Sequence, residues 1–188
     1  DKDTFYFKGE VIEGVDIESV EFLAEWFFKD KNSVYFYGLK IEDADPESFV
    51  RIDNTRYSKD NKYIFWNGDC IKEADLETFE VLSYHVAKDK NNTYFARRII
   101  NYIDPETVEV LDEYNSDLIK DKKKVYYRLK PIRGIDMATF KYLGYNYMKD
   151  KKKVYYNNKV IKGADAETFE YHPSRYSRDA RDKNGYYY

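Results

Sequence analysis

One motif recurs six times along this chain at intervals of 29 to 32 residues, and a seventh copy has begun where the sequence ends. Each copy opens on an Asp: Asp1, Asp30, Asp60, Asp89, Asp121 and Asp150. The units are 1–29, 30–59, 60–88, 89–120, 121–149 and 150–178, with a partial copy at 179–188. A unit this small cannot bury an apolar face alone, so neighbouring copies must stack and share one. The chain is therefore expected to be a single repeat domain, not one globular enzyme core.

Four residues after each Asp comes an apolar or β-branched position: Phe5, Val34, Ile64, Thr93, Val125 and Val154. A middle aromatic follows (Tyr6, Tyr35, Phe65, Tyr94, Tyr126, Tyr155), then a third ring (Phe7, Phe36, Trp66, Phe95, Tyr127, Tyr156). β-Branched and aromatic residues favour a pleated strand. Alternation puts the first and third positions on one face, which is expected to be core. The middle aromatic shares the other face with polar neighbours such as Ser33 and Lys124, and that face is expected to be half exposed.

Gly9, Gly38 and Gly68 mark a tight hairpin turn, whereas Arg97, Leu129 and Asn158 stand there in copies four to six and require a different turn. Strand two ends on an Ile in every copy: Ile12, Ile41, Ile71, Ile100, Ile132 and Ile161. Four residues on comes a second recurrent Asp: Asp16, Asp45, Asp75, Asp104, Asp136 and Asp165. Asp45-Pro46-Glu47-Ser48-Phe49 reads as an N-cap, a first-position Pro and an acidic first turn, too short for more than one helical turn. A third extended piece, such as Phe79-Glu80-Val81-Leu82, then runs to a basic residue and the next Asp.

The fold class implied is all-β: an open, solenoid-like stack of hairpin units with one-turn helices. A small closed propeller is the alternative, but its blades usually need four strands and about 40 to 50 residues. Pro131, in strand two of copy five, donates no ladder bond and requires an edge or unpaired position.

Asp30-Lys31-Asn32-Ser33-Val34-Tyr35-Phe36, Asp121-Lys122-Lys123-Lys124-Val125-Tyr126-Tyr127 and Asp182-Lys183-Asn184-Gly185-Tyr186-Tyr187-Tyr188 resemble the bacterial DKNYY repeat family. The Asp165-Ala166-Glu167-Thr168-Phe169 segment fits the same pattern, and the resemblance covers essentially the whole chain. It implies a bacterial, in part envelope-associated protein and supplies no catalytic residues. Copy three departs at Asn61-Lys62, and copy four lacks the turn Gly.

Net charge is −3, which gives no global reason to bind nucleic acid or membrane. Residues 1–88, however, carry 11 basic and 20 acidic side chains, and residues 89–188 carry 21 and 15. No apolar run is long enough to span a membrane. A single Cys allows no internal disulfide. The sequence opens on Asp1, consistent with removal of a leader, an anchor or a larger N-terminal region.

His85, His172 and Cys70 form no metal-ligand spacing. Cys70 fills the slot held by Val11, Ile99 and Val160, which reads as a small buried hydrophobe. The recurrent Asp residues invite a calcium reading, but turn and capping chemistry accounts for each, and no copy shows a calcium-loop spacing. No catalytic residues, metal site or cofactor are expected.

The middle-aromatic row (Tyr6, Tyr35, Phe65, Tyr94, Tyr126, Tyr155) is the leading candidate binding stripe, suited to peptides or sugars. Copy four adds Arg97, Arg98 and a longer segment around Asp112-Glu113-Tyr114-Asn115-Ser116-Asp117. Lys122-Lys123-Lys124 and Lys151-Lys152-Lys153 make copies five and six a candidate for nucleic acid or acidic polysaccharide. The function expected is a non-enzymatic repeat scaffold that binds a protein, peptide or glycan, at the bacterial envelope or secreted. The alternatives are the basic–aromatic module and a carbohydrate-active enzyme, which would need an unrepeated carboxylate pair.

Overall fold

A computed structural model describes residues 4–24, 26–52, 55–112, 117–173 and 178–187. It is all-β, and among the described residues the one helical piece is a 3-10 turn at Ile17–Ser19. Elsewhere the expected helical turn is a single bend closed by bonds such as Thr78 N–H to the Asp75 carbonyl (3.3 Å).

The strands form open antiparallel sheets, each a meander in chain order. The first has two strands, Tyr6–Phe7 and Glu10–Val11. The second comprises Glu21–Ala24, Phe27–Lys29, Val34–Phe36 and Leu39–Lys40. The third comprises Val50–Arg51, Tyr57–Lys59, Ile64–Trp66 and Asp69–Ile71, and the fourth Glu80–Val81, Val86–Lys88, Thr93–Phe95 and Arg98–Ile99. The fifth comprises Glu109–Val110, Leu118–Lys120, Val125–Tyr127 and Lys130–Pro131, and the sixth Lys141–Gly144, Tyr147–Lys149, Val154–Tyr156 and Lys159–Val160. The seventh has Glu170–Pro173, Arg178–Asp182 and Gly185–Tyr187. No barrel closes among the described strands. The chain forms two compact bodies, and among the described residues that of 1–101 has four sheets and that of 102–188 has three.

The sequence pattern implied three strands per unit; there are four. The third extended piece breaks at a turn, as where Leu82 and Ser83 N–H both donate to the Val86 carbonyl, and returns as a second strand. The recurrent Asp therefore sits inside a sheet, between its second and third strands. Pro131 lies on an edge strand opposite Tyr126, where its missing donor costs nothing.

Within each body the sheets pack face on face, so a sheet between two others has core on both faces. Val34 and Phe27 of the second sheet meet Phe65 of the third, whose opposite face sends Ile64, Trp66 and Tyr57 against Ala87 and Tyr94 of the fourth. In the other body Leu118 and Val125 meet Met148 and Tyr155, and Tyr147 and Val154 meet Phe169 and Ala180. This corrects the expected half-exposed aromatic face: Tyr35, Phe65, Tyr94, Tyr126 and Tyr155 are all buried. Alternation assigned the faces properly, but a sheet between two others has no solvent face.

The six Ile occupy one backbone slot, bonding or pairing to the start of strand three, as in Ile41 N–H to the Val34 carbonyl (2.8 Å). Ile41, Ile71, Ile100 and Ile132 are buried; Ile12 and Ile161 are half-buried. The expected change of hairpin turn where Gly is missing holds for copies four and six but not for copy five. Tyr37-Gly38 (φ 53° and 80°) and Asn67-Gly68 are left-handed at both positions, as a type I′ turn demands. Arg128-Leu129 adopts the same pair without Gly, whereas in the Ala96-Arg97 and Asn157-Asn158 turns only the first residue has positive φ.

Ser58 is fully buried opposite Phe65, and its hydroxyl has no partner. Ala87 and Ala180 hold the equivalent position opposite Tyr94 and Tyr187. Ser58→Ala should therefore raise stability by about 1 kcal/mol, because an unpaired buried hydroxyl carries a desolvation cost. Ile71→Ala should lower it by about 2–5 kcal/mol. Urea unfolding of each variant measures both.

Candidate functional site

The meander gives every four-stranded sheet two ends. At one lie the turn that opens on the recurrent Asp, between strands two and three, and the incoming connection from the previous sheet. At the other lie two hairpin tips. The first end is written almost identically in each copy.

Asp89 shows the pattern. Its Oδ1 accepts the N–H groups of Asn91 and Asn92 (both 2.7 Å), closing the turn. Its Oδ2 accepts the N–H of Asp75 from the incoming connection (2.9 Å) and the Tyr94 hydroxyl (2.6 Å). Asp121 and Asp150 repeat this with Asp104 and Tyr126, and with Asp136 and Tyr155. The next residue fastens the same connection: Lys90 N–H donates to Thr78 Oγ1 (3.1 Å), and Lys90 Nζ pairs with Asp75 (2.6 Å). Lys31, Lys122, Lys151 and Lys183 do likewise with Asp16, Asp104, Asp136 and Asp165.

The middle-aromatic row is thus the inner half of a clasp, not a surface stripe. Its ring fills the space between sheets, and its hydroxyl serves a buried carboxylate, which is why Tyr recurs where Val or Leu would pack. Phe65, lacking the hydroxyl, leaves Asp60 with the backbone donors Lys62, Tyr63 and Asp45. Tyr6 is the exception, 55% exposed in the two-stranded first sheet. Burial works against ionisation of Asp89, but the N–H groups of Asp75, Asn91 and Asn92 and the Tyr94 hydroxyl outweigh it, and its pKa is lowered. Burial, with the charge and hydrogen bond of Asp150, pushes the Tyr155 hydroxyl up to about 12.

The other expected residues are scattered. Arg97 pairs with Asp69 (3.0 Å) at a hairpin tip, and Arg98 is exposed on an edge strand. Tyr114 lies outside the described residues, as does the rest of 113–116; Asp117, beside that segment, pairs with Arg128 (2.8 Å). Cys70 is half-buried, and its counterparts Val11, Ile99 and Val160 are exposed, so that slot is an edge position and not core. Among the described residues no His, Cys, Asp and Glu cluster could hold a metal.

The hairpin tips are where the copies diverge. One backbone bond joins the two tips of each four-stranded sheet, and its acceptor is Trp26, Arg56, His85, Asp117 or Asn146 in turn. In the body of residues 1–101 these tips carry aromatic rings and cations. Lys8 Nζ lies 3.1 Å from the centroid of the Trp26 ring, which stacks on Tyr37 at 4.4 Å. Arg56 Nε donates to the Tyr84 hydroxyl (2.7 Å), and His85 stacks on Phe95. Trp26, Phe36, Tyr37, Arg51, Arg56 and Tyr84 line a shallow groove of about 350 Å³. Tyr37 and Tyr84 are 50% and 43% exposed. The signal that could have found this surface is the variability of the tip residues inside an otherwise constant unit.

A family model, the DKNYY family, matches residues 1–130 and again residues 57–188, which together span the chain. No curated protein and no solved structure matches it.

The clasp dictates the pH dependence. Asp89, Asp121 and Asp150 have folded-state pKa values below their unfolded ones, so their contribution is complete above the unfolded value of about 4 and is lost as pH falls through the folded value. Tyr94, Tyr126 and Tyr155 are raised, so theirs is complete below about 10 and is lost as pH rises. Urea midpoints across pH should form a plateau that falls at both ends, and Tyr94→Phe should lower the plateau and weaken both limbs.

Proposed function

The chain belongs to the DKNYY family, and on that footing we propose that it is a non-enzymatic repeat scaffold that recognises another protein through the hairpin tips of residues 1–101. The observation that carries this is the division of the repeat. The clasp end and the Ile slot recur because the stack requires them, whereas the tips change from sheet to sheet and leave rings at the surface. Trp, Tyr and Arg are the residues enriched at protein–protein hot spots, since they offer large rigid area with a polar handle. Trp26, Tyr37, Arg56 and Tyr84 provide that composition along one groove. Lys8, Arg51 and Arg56 favour a segment that carries acidic as well as apolar side chains. An envelope or secreted location is part of the same proposal.

A photo-crosslinking aromatic placed at Tyr37 or at Tyr84 should capture one common protein in source cells, and one at Glu47, on the clasp end, should not. Against that purified protein, the Tyr37→Ala/Tyr84→Ala double variant should bind at least about 30-fold more weakly, the equivalent of about 2 kcal/mol. Unchanged affinity, with an unchanged melting temperature, would remove the tips from the interface.

A further inference from the structure

The body of residues 102–188 carries a second surface, at the clasp end, whose charge the clasp does not explain. In the run Lys122-Lys123-Lys124 the first side chain is committed: Lys122 Nζ pairs with Asp104 (2.8 Å). The backbone N–H groups of Lys123 and Lys124 close the turn on Asp121, but their side chains are exposed. They line a groove of about 430 Å³ with Arg133 and Gly134. Its floor is apolar, from Val125, Pro131, Ile132 and Met137, and none of its lining residues is acidic. Lys153, from the next Asp-Lys turn, brings its ammonium to 3.5 Å from where a Cβ on Gly134 would lie. Four cations from three chain segments therefore gather at one groove, and among the described residues none of them has an ion-pair partner.

Part of the arrangement recurs one sheet further on, where Lys152 stands in the turn and Lys162-Gly163 repeats Arg133-Gly134, while the next turn carries Asn184 and Gly185 in place of Lys152 and Lys153. Gly134 and Gly163 share a left-handed backbone (φ 80° and 82°), and neither fills the space in front of it with a side chain. In the body of residues 1–101 the same positions hold Asn32, Ser33, Glu42 and Asp43 in one copy and Glu13-Gly14 in another. The fold is thus indifferent to the sign of these residues. Gathering unpaired like charges raises the energy of the free protein, a cost that a bound anion offsets.

We infer that this groove binds an acidic polysaccharide, with carboxylates on the Lys and Arg rim and the C–H face of a sugar ring on the apolar floor. Stacked sheets recur about every 10 Å, comparable to two sugar residues, so alternate carboxylates of a polyuronate would meet the cations of successive sheets. Nucleic acid is the poorer fit. No aromatic ring lines the groove for a base to stack on, and each strand of a duplex presents a phosphate about every 3.4 Å of helix axis, several for each sheet.

The inference does not rest on the hairpin-tip reading, and one titration separates them. The full chain is titrated with polygalacturonate, with neutral dextran, and with single-stranded and duplex DNA of matched charge. Polygalacturonate should bind, with affinity falling as NaCl rises, and dextran should not. Lys123→Gln/Lys124→Gln/Arg133→Gln/Lys153→Gln should reduce binding at least 10-fold at an unchanged melting temperature, and Arg133→Glu alone should reduce it measurably. Tyr37→Ala/Tyr84→Ala should leave it intact. Undiminished binding by the quadruple variant, equal binding of dextran, or tighter binding of either DNA than of polygalacturonate would each overturn the assignment.

Discussion

The stack depends on a buried carboxylate surrounded by donors. Burying an ionised Asp costs several kcal/mol unless its lone pairs are met. Asp89, only 3% exposed, meets them with three backbone N–H groups and one tyrosine hydroxyl. Two of those donors close its own turn, one belongs to the connection arriving from the previous sheet, and the hydroxyl comes from the strand that follows. Charge-assisted hydrogen bonds of this kind are stronger than neutral ones. A single side chain thereby fixes the turn, the entry of the chain and the orientation of the ring packed between sheets.

Once that end is fixed, the opposite end is free to vary. Backbone bonds such as Asn67 N–H to the Arg56 carbonyl (3.0 Å) hold the tips together whatever side chains they carry. Lys8 against Trp26, Trp26 on Tyr37 and Arg56 on Tyr84 therefore follow from no requirement of the core. The same holds for Lys123, Lys124 and Arg133, which could be Asn, Ser and Glu, as in the second sheet, without loss of a clasp bond. The proposed recognition uses positions that the clasp leaves unspecified.

Much of this was legible in the chain itself. The repeat, the all-β class, the Ile slot, the edge position of Pro131 and the altered turns of copies four and six could be read from spacing and residue type, whereas copy five keeps the left-handed pair at Arg128-Leu129 without a Gly. The exposure of the aromatic row could not, because alternation tells which residues share a face and not whether another sheet covers it. Tyr94 beside polar neighbours looked like a wet surface; its hydroxyl is spent on Asp89, five residues earlier in the chain. The fourth strand was missed because the extended piece from Glu80 to Lys88 contains a turn at Ser83 and Tyr84 without Gly or Pro. The hairpin-tip surface was missed because a search for what recurs passes over what differs.

A double-mutant cycle on Asp89 and Tyr94 tests the clasp most directly, with Asp89→Asn, Tyr94→Phe and the double variant compared by urea unfolding at neutral pH. If the buried hydroxyl is what the carboxylate requires, the two substitutions are strongly non-additive, with a coupling energy of at least about 1 kcal/mol. Additive effects would mean that the ring is kept for its shape alone and that the carboxylate does not depend on it.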